Sequence, residues 1–128
     1  MSRTIVKSNA APEPIGPYSQ AIKSDQFVFT SGQIAIDPES GQLISGTVSE
    51  QADLVLKNLQ AVLRAAGTSM ENVLKTTIFL KNMDDFAKVN EVYAKYFNHA
   101  LPARSTVEVA RLPKDVLVEI DCIACCSV

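Results

Sequence analysis

Apolar residues along this chain recur with two different spacings. RTIVKS (3–8), QAIKS (20–24) and FVFTSGQIAI (27–36) alternate with a period of two and predict three strands. The stretch between the first two, NAAPEPIGPYS (9–19), carries three prolines and a glycine, which exclude a helix or a central strand and predict a loop. DPESGQ (37–42) reads as a turn, because Asp, Pro, Ser and Gly each favour turn geometry. From Thr47 the period lengthens: Leu56, Leu59, Leu63 and Ala66 share one helical face, and Gly67 stands where a helix-terminating glycine belongs. Thr47 followed by Glu50 is a capping-box pair. KTTIFLK (75–81) returns to strand alternation. NMDDFAKVNEVYAKYFN (82–98) predicts a second helix, with Phe86, Val89, Tyr93 and Phe97 on one stripe and Asp84 and Asp85 placed to favour the helix dipole. PARSTVEVA (102–110) and VLVEIDCIAC (116–125) predict two closing strands joined by RLPKD.

The order β-β-β-α-β-α-β-β is an α+β arrangement in which two amphipathic helices cover one face of a mixed six-stranded sheet. The last strand is nevertheless apolar on both sides: Val116, Val118, Ile120 and Cys122 face one way, Leu117, Ile123 and Cys125 the other. A sheet face with apolar side chains and no helices of its own predicts a homo-oligomer.

At 128 residues, 47% hydrophobic and 20% charged, the chain fits a single domain spanning 1–128. Lys and Arg total 12 against 14 Asp and Glu, a net charge of −2 with the basic residues scattered, so no nucleic-acid partner is expected. No apolar run reaches the roughly 20 residues that span a bilayer, and the expectation is a soluble protein of the cytoplasm or mitochondrial matrix. Cys122, Cys125 and Cys126 include a C-x-x-C, but in a strand its two cysteines point to opposite faces, so free structural thiols are expected rather than a metal or redox pair. The single histidine, His99, has no serine or cysteine motif around it and too few companions for a zinc site. The five glycines are isolated and form no phosphate loop.

What remains are charged residues inside strands. Arg104 shares a face with Thr106 and Glu108, while Glu119 and Asp121 interrupt the apolar last strand. Buried without partners, such charges cost several kcal/mol. They read either as a salt bridge, within or between chains, or as a site in which Arg104 holds an anionic substrate and a glutamate handles water. If 102–110 and 116–125 form a hairpin with Thr106 opposite Glu119, then Arg104 and Glu119 are diagonal neighbours on one face, and that register is the expectation.

IGPYSQA (15–21), FTSGQIAIDPESGQ (29–42), VLKTTIFLKNMDDFAKVNEVYAKYF (73–97) and PARSTVEVARLPKDVLVEID (102–121) together resemble the reactive intermediate deaminase family of the RidA type, also called YjgF. The resemblance implies a chorismate-mutase-like fold, a homotrimer with a barrel-like core, and active sites between subunits. It implies hydrolysis of 2-imino acids and their enamine tautomers to 2-oxo acids and ammonia, with no metal or organic cofactor. Arg104 then matches the arginine that holds the substrate carboxylate, and Glu119 the glutamate that orients or activates water. Tyr18, Ser31, Gly32, Asn90 and Thr106 match substrate-binding positions, the first three lining the pocket from across the subunit interface and Asn90 on a helix near it. Tyr18 could equally brace its loop, Ser31 and Gly32 could mark a strand bulge, and Asn90 could bridge within the fold. Thr106 stands where many bacterial members have cysteine. Two other activities stay open beside the deaminase: a ribonuclease or translation inhibitor, and a non-catalytic or chaperone-like binder of small carboxylates.

Overall fold

Strands β1 (Thr4–Val6), β2 (Ala21–Ser24), β3 (Phe27–Thr30), β4 (Val73–Leu80), β5 (Ala103–Glu108) and β6 (Val118–Cys125) join one six-stranded sheet in the computed structural model, which describes residues 2–126. The sheet order is β1-β2-β3-β6-β4-β5, and every neighbouring pair is antiparallel except β4 with β5. Helices α1 (Val48–Ala65) and α2 (Phe86–Tyr96) pack on one face. The expected mixed six-stranded sheet with two helices on one side is the fold observed.

Helix α1 begins and ends on local chemistry. The Thr47 side chain accepts from the Glu50 amide at 3.2 Å while the Glu50 carboxylate accepts from the Thr47 amide at 3.0 Å, closing the capping box. At the other end Gly67 adopts φ +84°, a left-handed conformation that strains any residue with a Cβ. There the Gly67 amide donates to the Arg64 carbonyl and the Thr68 amide to the Leu63 carbonyl, each at 3.0 Å, which satisfies carbonyls the helix leaves free. Helix α2 is shorter than its apolar stripe suggests. Its first turn, Met83–Asp85, is a 3-10 turn capped by the Asn82 side chain, and the α-helix starts only at Phe86.

The core lies between helices and sheet. Val55, Leu56, Leu59, Val62 and Leu63 of α1 meet Val28, Ile78, Leu80, Val118 and Ile120 of the sheet, all at most 1% exposed. Burying each such side chain contributes about 1.5–3 kcal/mol. Along β6 burial alternates: Val118, Ile120, Cys122 and Ala124 are covered, whereas Glu119, Asp121, Ile123 and Cys125 are half-exposed on the helix-free face. Cys122 and Cys125 therefore lie on opposite sides of the sheet, as the alternation predicts. Burial pushes the Cys122 thiol up to about 12, so it is an inert core group.

Two predicted features differ. The strand expected over 27–36 breaks after Thr30. Phe29 pairs with Ile123 but Gln33 with Ile120, so four steps on one strand oppose three on the other and one residue bulges out. The Thr30 hydroxyl accepts from the Cys122 amide at 3.0 Å, compensating for the interrupted ladder. The second difference is larger: β5 and β6 do not form a hairpin. Strand β4 lies between them, pairing Thr76 with Arg104 on one side and with Cys122 on the other. The RLPKD segment crosses over that strand instead of turning back at its edge.

The register also lines up Ile5, Ile22, Phe29 and Ile123 across four strands on the face without helices. Ile5 and Phe29 are 61% and 46% exposed. Replacing Gly67 with Ala is expected to cost about 1 kcal/mol, the strain of a left-handed residue with a Cβ. It should appear as a lower midpoint in denaturant unfolding with an unchanged slope.

Candidate active site

The helix-free face carries one half of the predicted site. A cavity of about 280 Å³ is lined by Tyr18, Ser31, Gly32 and Glu119 together with Ile15, Ile34 and Pro113. Four residues from three separate stretches of chain thus converge there. The loop before β2 delivers Tyr18, and buried Gln20 holds that loop. Its side-chain oxygen accepts from the Ser8 amide, while its amide nitrogen donates to the Pro12 carbonyl at 2.8 Å and the Ser8 carbonyl at 3.1 Å. The Tyr18 hydroxyl accepts from the Ile15 amide at 3.2 Å, closing the loop on itself and leaving the ring half-exposed at the cavity mouth.

The bulge after Thr30 supplies Ser31 and Gly32. The Ser31 hydroxyl donates to the Ser19 carbonyl at 2.6 Å, tying the bulge to the Tyr18 loop. Gly32 is there for want of space: a Cβ at this position would overlap the Glu119 carboxylate and stand 2.8 Å from its carboxyl carbon. The glutamate side chain thus lies flat over a glycine in the neighbouring segment. The opposite wall, at Pro113, comes from a turn in which Lys114 and Asp115 both adopt left-handed φ, 55° and 56°. The turn is pinned by a fork of hydrogen bonds from Arg111 to the Asp115 carboxylate at 2.8 and 3.2 Å and by burial of Leu112.

The Glu119 carboxylate has no hydrogen bond or ion pair among the described residues. Burial raises its carboxyl above the ordinary carboxylate range, and the like charge of Asp121, two residues along the same face, raises it further. Asp121 is raised by burial too, but Lys75 and the Thr77 hydroxyl pull it back.

The other predicted residues lie across the sheet. Thr76 and Ile78 of β4 face the helices, and their partners on β5 are Arg104 and Thr106. The Arg104 guanidinium lies over the rings of Phe86 and Tyr93 in α2, 5.4 and 4.9 Å from their centroids. Asn90 falls between Phe86 and Tyr93 along the same helix and is half-buried. The Thr106 hydroxyl oxygen is buried with no hydrogen-bond partner among the described residues, an arrangement that costs free energy until something donates to it or accepts from it.

The expectation that Arg104 and Glu119 share a face of one chain is therefore wrong. With β4 inserted between β5 and β6, Arg104 aligns with Cys122 on the helix side, and Glu119 points away from it. What one chain brings together is Tyr18, Ser31, Gly32 and Glu119 in one place, and Arg104, Thr106 and Asn90 in another. His99 is exposed in a third place, a cavity of about 330 Å³ beyond the helix ends that holds none of the predicted site residues. Sequence reasoning missed Gln20, Pro113 and the Phe86–Tyr93 pair. The stripe containing both aromatics was visible, but periodicity cannot distinguish a ring that fills the core from one that holds a cation.

The model of the endoribonuclease L-PSP family matches residues 8–126. The chain belongs to this family, also called YjgF or RidA. A RutC family protein of Pyrococcus horikoshii is 54% identical over 122 residues, 95% of this chain and 97% of its own. The mouse 2-iminobutanoate/2-iminopropanoate deaminase is 49% identical over 122 residues, 95% of this chain and 90% of its own. Among solved structures, E. coli TdcF with bound serine superposes with a TM-score of 0.92 at 44% identity, covering 97% of this chain and 99% of that one. This RidA-family chain thus shares its backbone with TdcF over nearly its whole length.

Because the folded-state pKa of Glu119 lies above its unfolded value, the native state binds more protons between the two, and stability falls as pH rises through that window. Glu119→Gln is therefore expected to melt at a higher temperature than wild type at pH 7. The advantage should vanish below about pH 4, where the carboxyl is protonated in both states. Thermal unfolding followed by circular dichroism at the two pH values decides this, and equal melting temperatures at pH 7 would contradict it.

Proposed function

We propose that this chain is a hydrolytic deaminase of 2-imino acids and their enamine tautomers, such as 2-iminobutanoate, 2-iminopropanoate and 2-aminoacrylate. It acts at sites assembled between copies of the chain in a homotrimer. The Arg104 half of one copy meets the Glu119 half of the next. The names of the mammalian relatives support this reaction class. The row of Ile5 and Phe29, both exposed, with half-exposed Ile22 and Ile123 supports burial of the helix-free face against another copy. The archaeal relative comes from cells without mitochondria, which favours the cytoplasm over the mitochondrial matrix.

The observation that carries the reading is Glu119, half-buried, unpaired and closed over Gly32. A site that only held a small carboxylate would lose affinity by keeping a second negative charge against it. A carboxylate there has a use when water must be activated beside the ligand. Arg104, with no acidic partner among the described residues, offers a planar fork for the substrate carboxylate, and Thr106 offers its free hydroxyl. With the carboxylate held, C2 of the protonated imine is presented to a water on Glu119. The water oxygen bonds to C2 and its proton passes to Glu119, while the C=N electron pair moves onto nitrogen. The carbinolamine nitrogen then takes that proton. Its C–N bond breaks as the oxygen becomes the carbonyl, and the hydroxyl proton leaves with the ammonia as ammonium. An enamine enters the same course after protonation at C3. The imine carbon is already electrophilic, so positioning supplies much of the acceleration.

The nuclease activity in the family's name finds less support, since the charge is −2 and the single histidine lines a different cavity from Glu119.

Coupling purified protein to a threonine dehydratase and following 2-oxobutanoate release tests the reaction. Wild type should accelerate release; in Arg104→Ala, loss of the charged hydrogen bonds should lower kcat/KM about 100-fold. In Glu119→Gln, turnover should fall about 10²- to 10⁴-fold while 2-oxobutanoate still binds. The two inactive variants also test the composite site. Dissociated and reassembled together at equal amounts, they should regain roughly a quarter of the wild-type sites, because one copy supplies Arg104 and its neighbour Glu119. Mixtures as inactive as either variant alone would place both residues' roles within one chain, and a monomer by light scattering would remove the interface altogether.

A further inference from the structure

We propose that Phe86 and Tyr93 are positioning residues for Arg104: two aromatic rings of α2 hold its guanidinium at the sheet edge in the orientation that receives a substrate carboxylate. The proposal rests on the reading of Arg104 as a carboxylate clamp and adds what aims it.

An arginine side chain at the end of a sheet has four rotatable bonds and must lose most of that freedom to bind a carboxylate with both prongs of its fork. The usual way to fix it is an acidic neighbour. None is paired with it: the ion pairs among the described residues are Lys57 with Asp53 and Arg111 with Asp115, and neither includes Arg104. An acidic neighbour would also occupy the N–H groups needed for substrate and cancel the charge that attracts it. Aromatic faces attract the cation through their quadrupole and leave its in-plane donors free. The guanidinium carbon lies 4.9 Å from the Tyr93 centroid and 5.4 Å from that of Phe86. The two residues stand two turns apart on α2, a rise of about 10 Å, which leaves room for one flat group between their rings.

The inner ring is itself fixed. Tyr93 is 7% exposed, packs against Phe97 at 4.5 Å between centroids, and shares a 2.7 Å hydrogen bond with the hydroxyl of Thr76. Thr76 is fully buried and is the direct register partner of Arg104 across β4 and β5. One rung of the sheet thus carries both the arginine and a hydroxyl bonded to the tyrosine beneath it, whose ring is held in place chiefly by its burial and by Phe97. The outer ring, Phe86, is 39% exposed. Burial does not explain a large apolar side chain there, whereas covering the open side of the guanidinium does.

The test reads Arg104 directly. In protein labelled with ¹⁵N, the Arg104 Nε–H resonance, assigned by its loss in Arg104→Ala, should be displaced upfield by ring currents. It should move back toward the position of a solvent-exposed arginine in Phe86→Leu and in Tyr93→Leu. The dissociation constant for 2-oxobutanoate, measured by calorimetry, should rise about fivefold in either leucine variant and stay within about twofold of wild type in Tyr93→Phe, which keeps the ring face. In turnover, KM should rise by more than kcat falls. A wild-type resonance at the free-arginine position would overturn the proposal. So would unchanged affinity in Phe86→Leu, the variant least able to disturb the core, or Tyr93→Phe binding as weakly as Tyr93→Leu. If Arg104→Ala binds 2-oxobutanoate as tightly as wild type, the carboxylate reading itself falls, whatever the resonance shows about the rings.

Discussion

Strand β4 is bonded on both sides, antiparallel to β6 and parallel to β5, and the rest of the structure follows from that position. Parallel neighbours cannot be joined by a tight turn, so the chain must leave the sheet after Leu80 and cross back over one face before β5 begins. The crossing is α2. It is why an aromatic stripe lies above β5, and why Arg104 emerges beneath two rings and not into water. The same insertion separates β5 from β6 and sends the two charged residues of interest to opposite faces. A hairpin at RLPKD would have made Arg104 and Glu119 close neighbours and natural ion-pair mates. Keeping β4 between them leaves both charges unneutralised within the chain, and that is the condition under which each can act on something else.

Each half of the site is held by a different kind of support. On the helix-free face the support is backbone shape: a one-residue bulge, a glycine with no Cβ, and a turn with two left-handed residues bring segments from three parts of the chain against Glu119. Non-glycine residues in that conformation carry strain, which persists only where the surroundings determine it, here the Arg111–Asp115 fork and the buried Leu112. On the helix face the support is side-chain packing, from Thr76 to Tyr93 to Arg104. The half that is expected to handle a proton is also electrostatically uncomfortable. Glu119 is partly desolvated beside a like charge, so its ionised form lowers stability and its carboxylate takes up a proton more readily than an ordinary one. Stability given up at a site is consistent with a fold whose core is otherwise closely filled.

The orphaned hydroxyl of Thr106 and the apolar row on the bare face have the same cause. Both are features for which the described residues supply no partner, and the proposed association of copies would supply one. On a backbone shared with TdcF at 44% identity, the chain carries two separate clusters of candidate site residues and a partly exposed apolar row on the helix-free face. A composite site accounts for all three features at once, whereas a monomeric binder leaves each of them unexplained.

Local rules were legible in the sequence because they act within a few residues. The capping box at Thr47, the glycine stop at Gly67, the alternation that sends Cys122 and Cys125 to opposite faces, and the pairing of Arg104 with Thr106 on one side of a strand all follow from periods of 3.6 and 2. The resemblance assigned Tyr18, Ser31 and Gly32 to the far side of a subunit interface from Arg104 and Glu119, whereas one chain sets all three around the same cavity as its own Glu119. Strand order was not legible. Alternation states which face a side chain takes relative to its own strand, but the energy that chooses neighbours is spread over contacts far apart in sequence, and a turn such as RLPKD fits a hairpin and a crossing equally well. The tertiary structure alone decided that β4 separates β5 from β6, and with it which face Arg104 takes, which rings hold it, and that Glu119 stands apart from it.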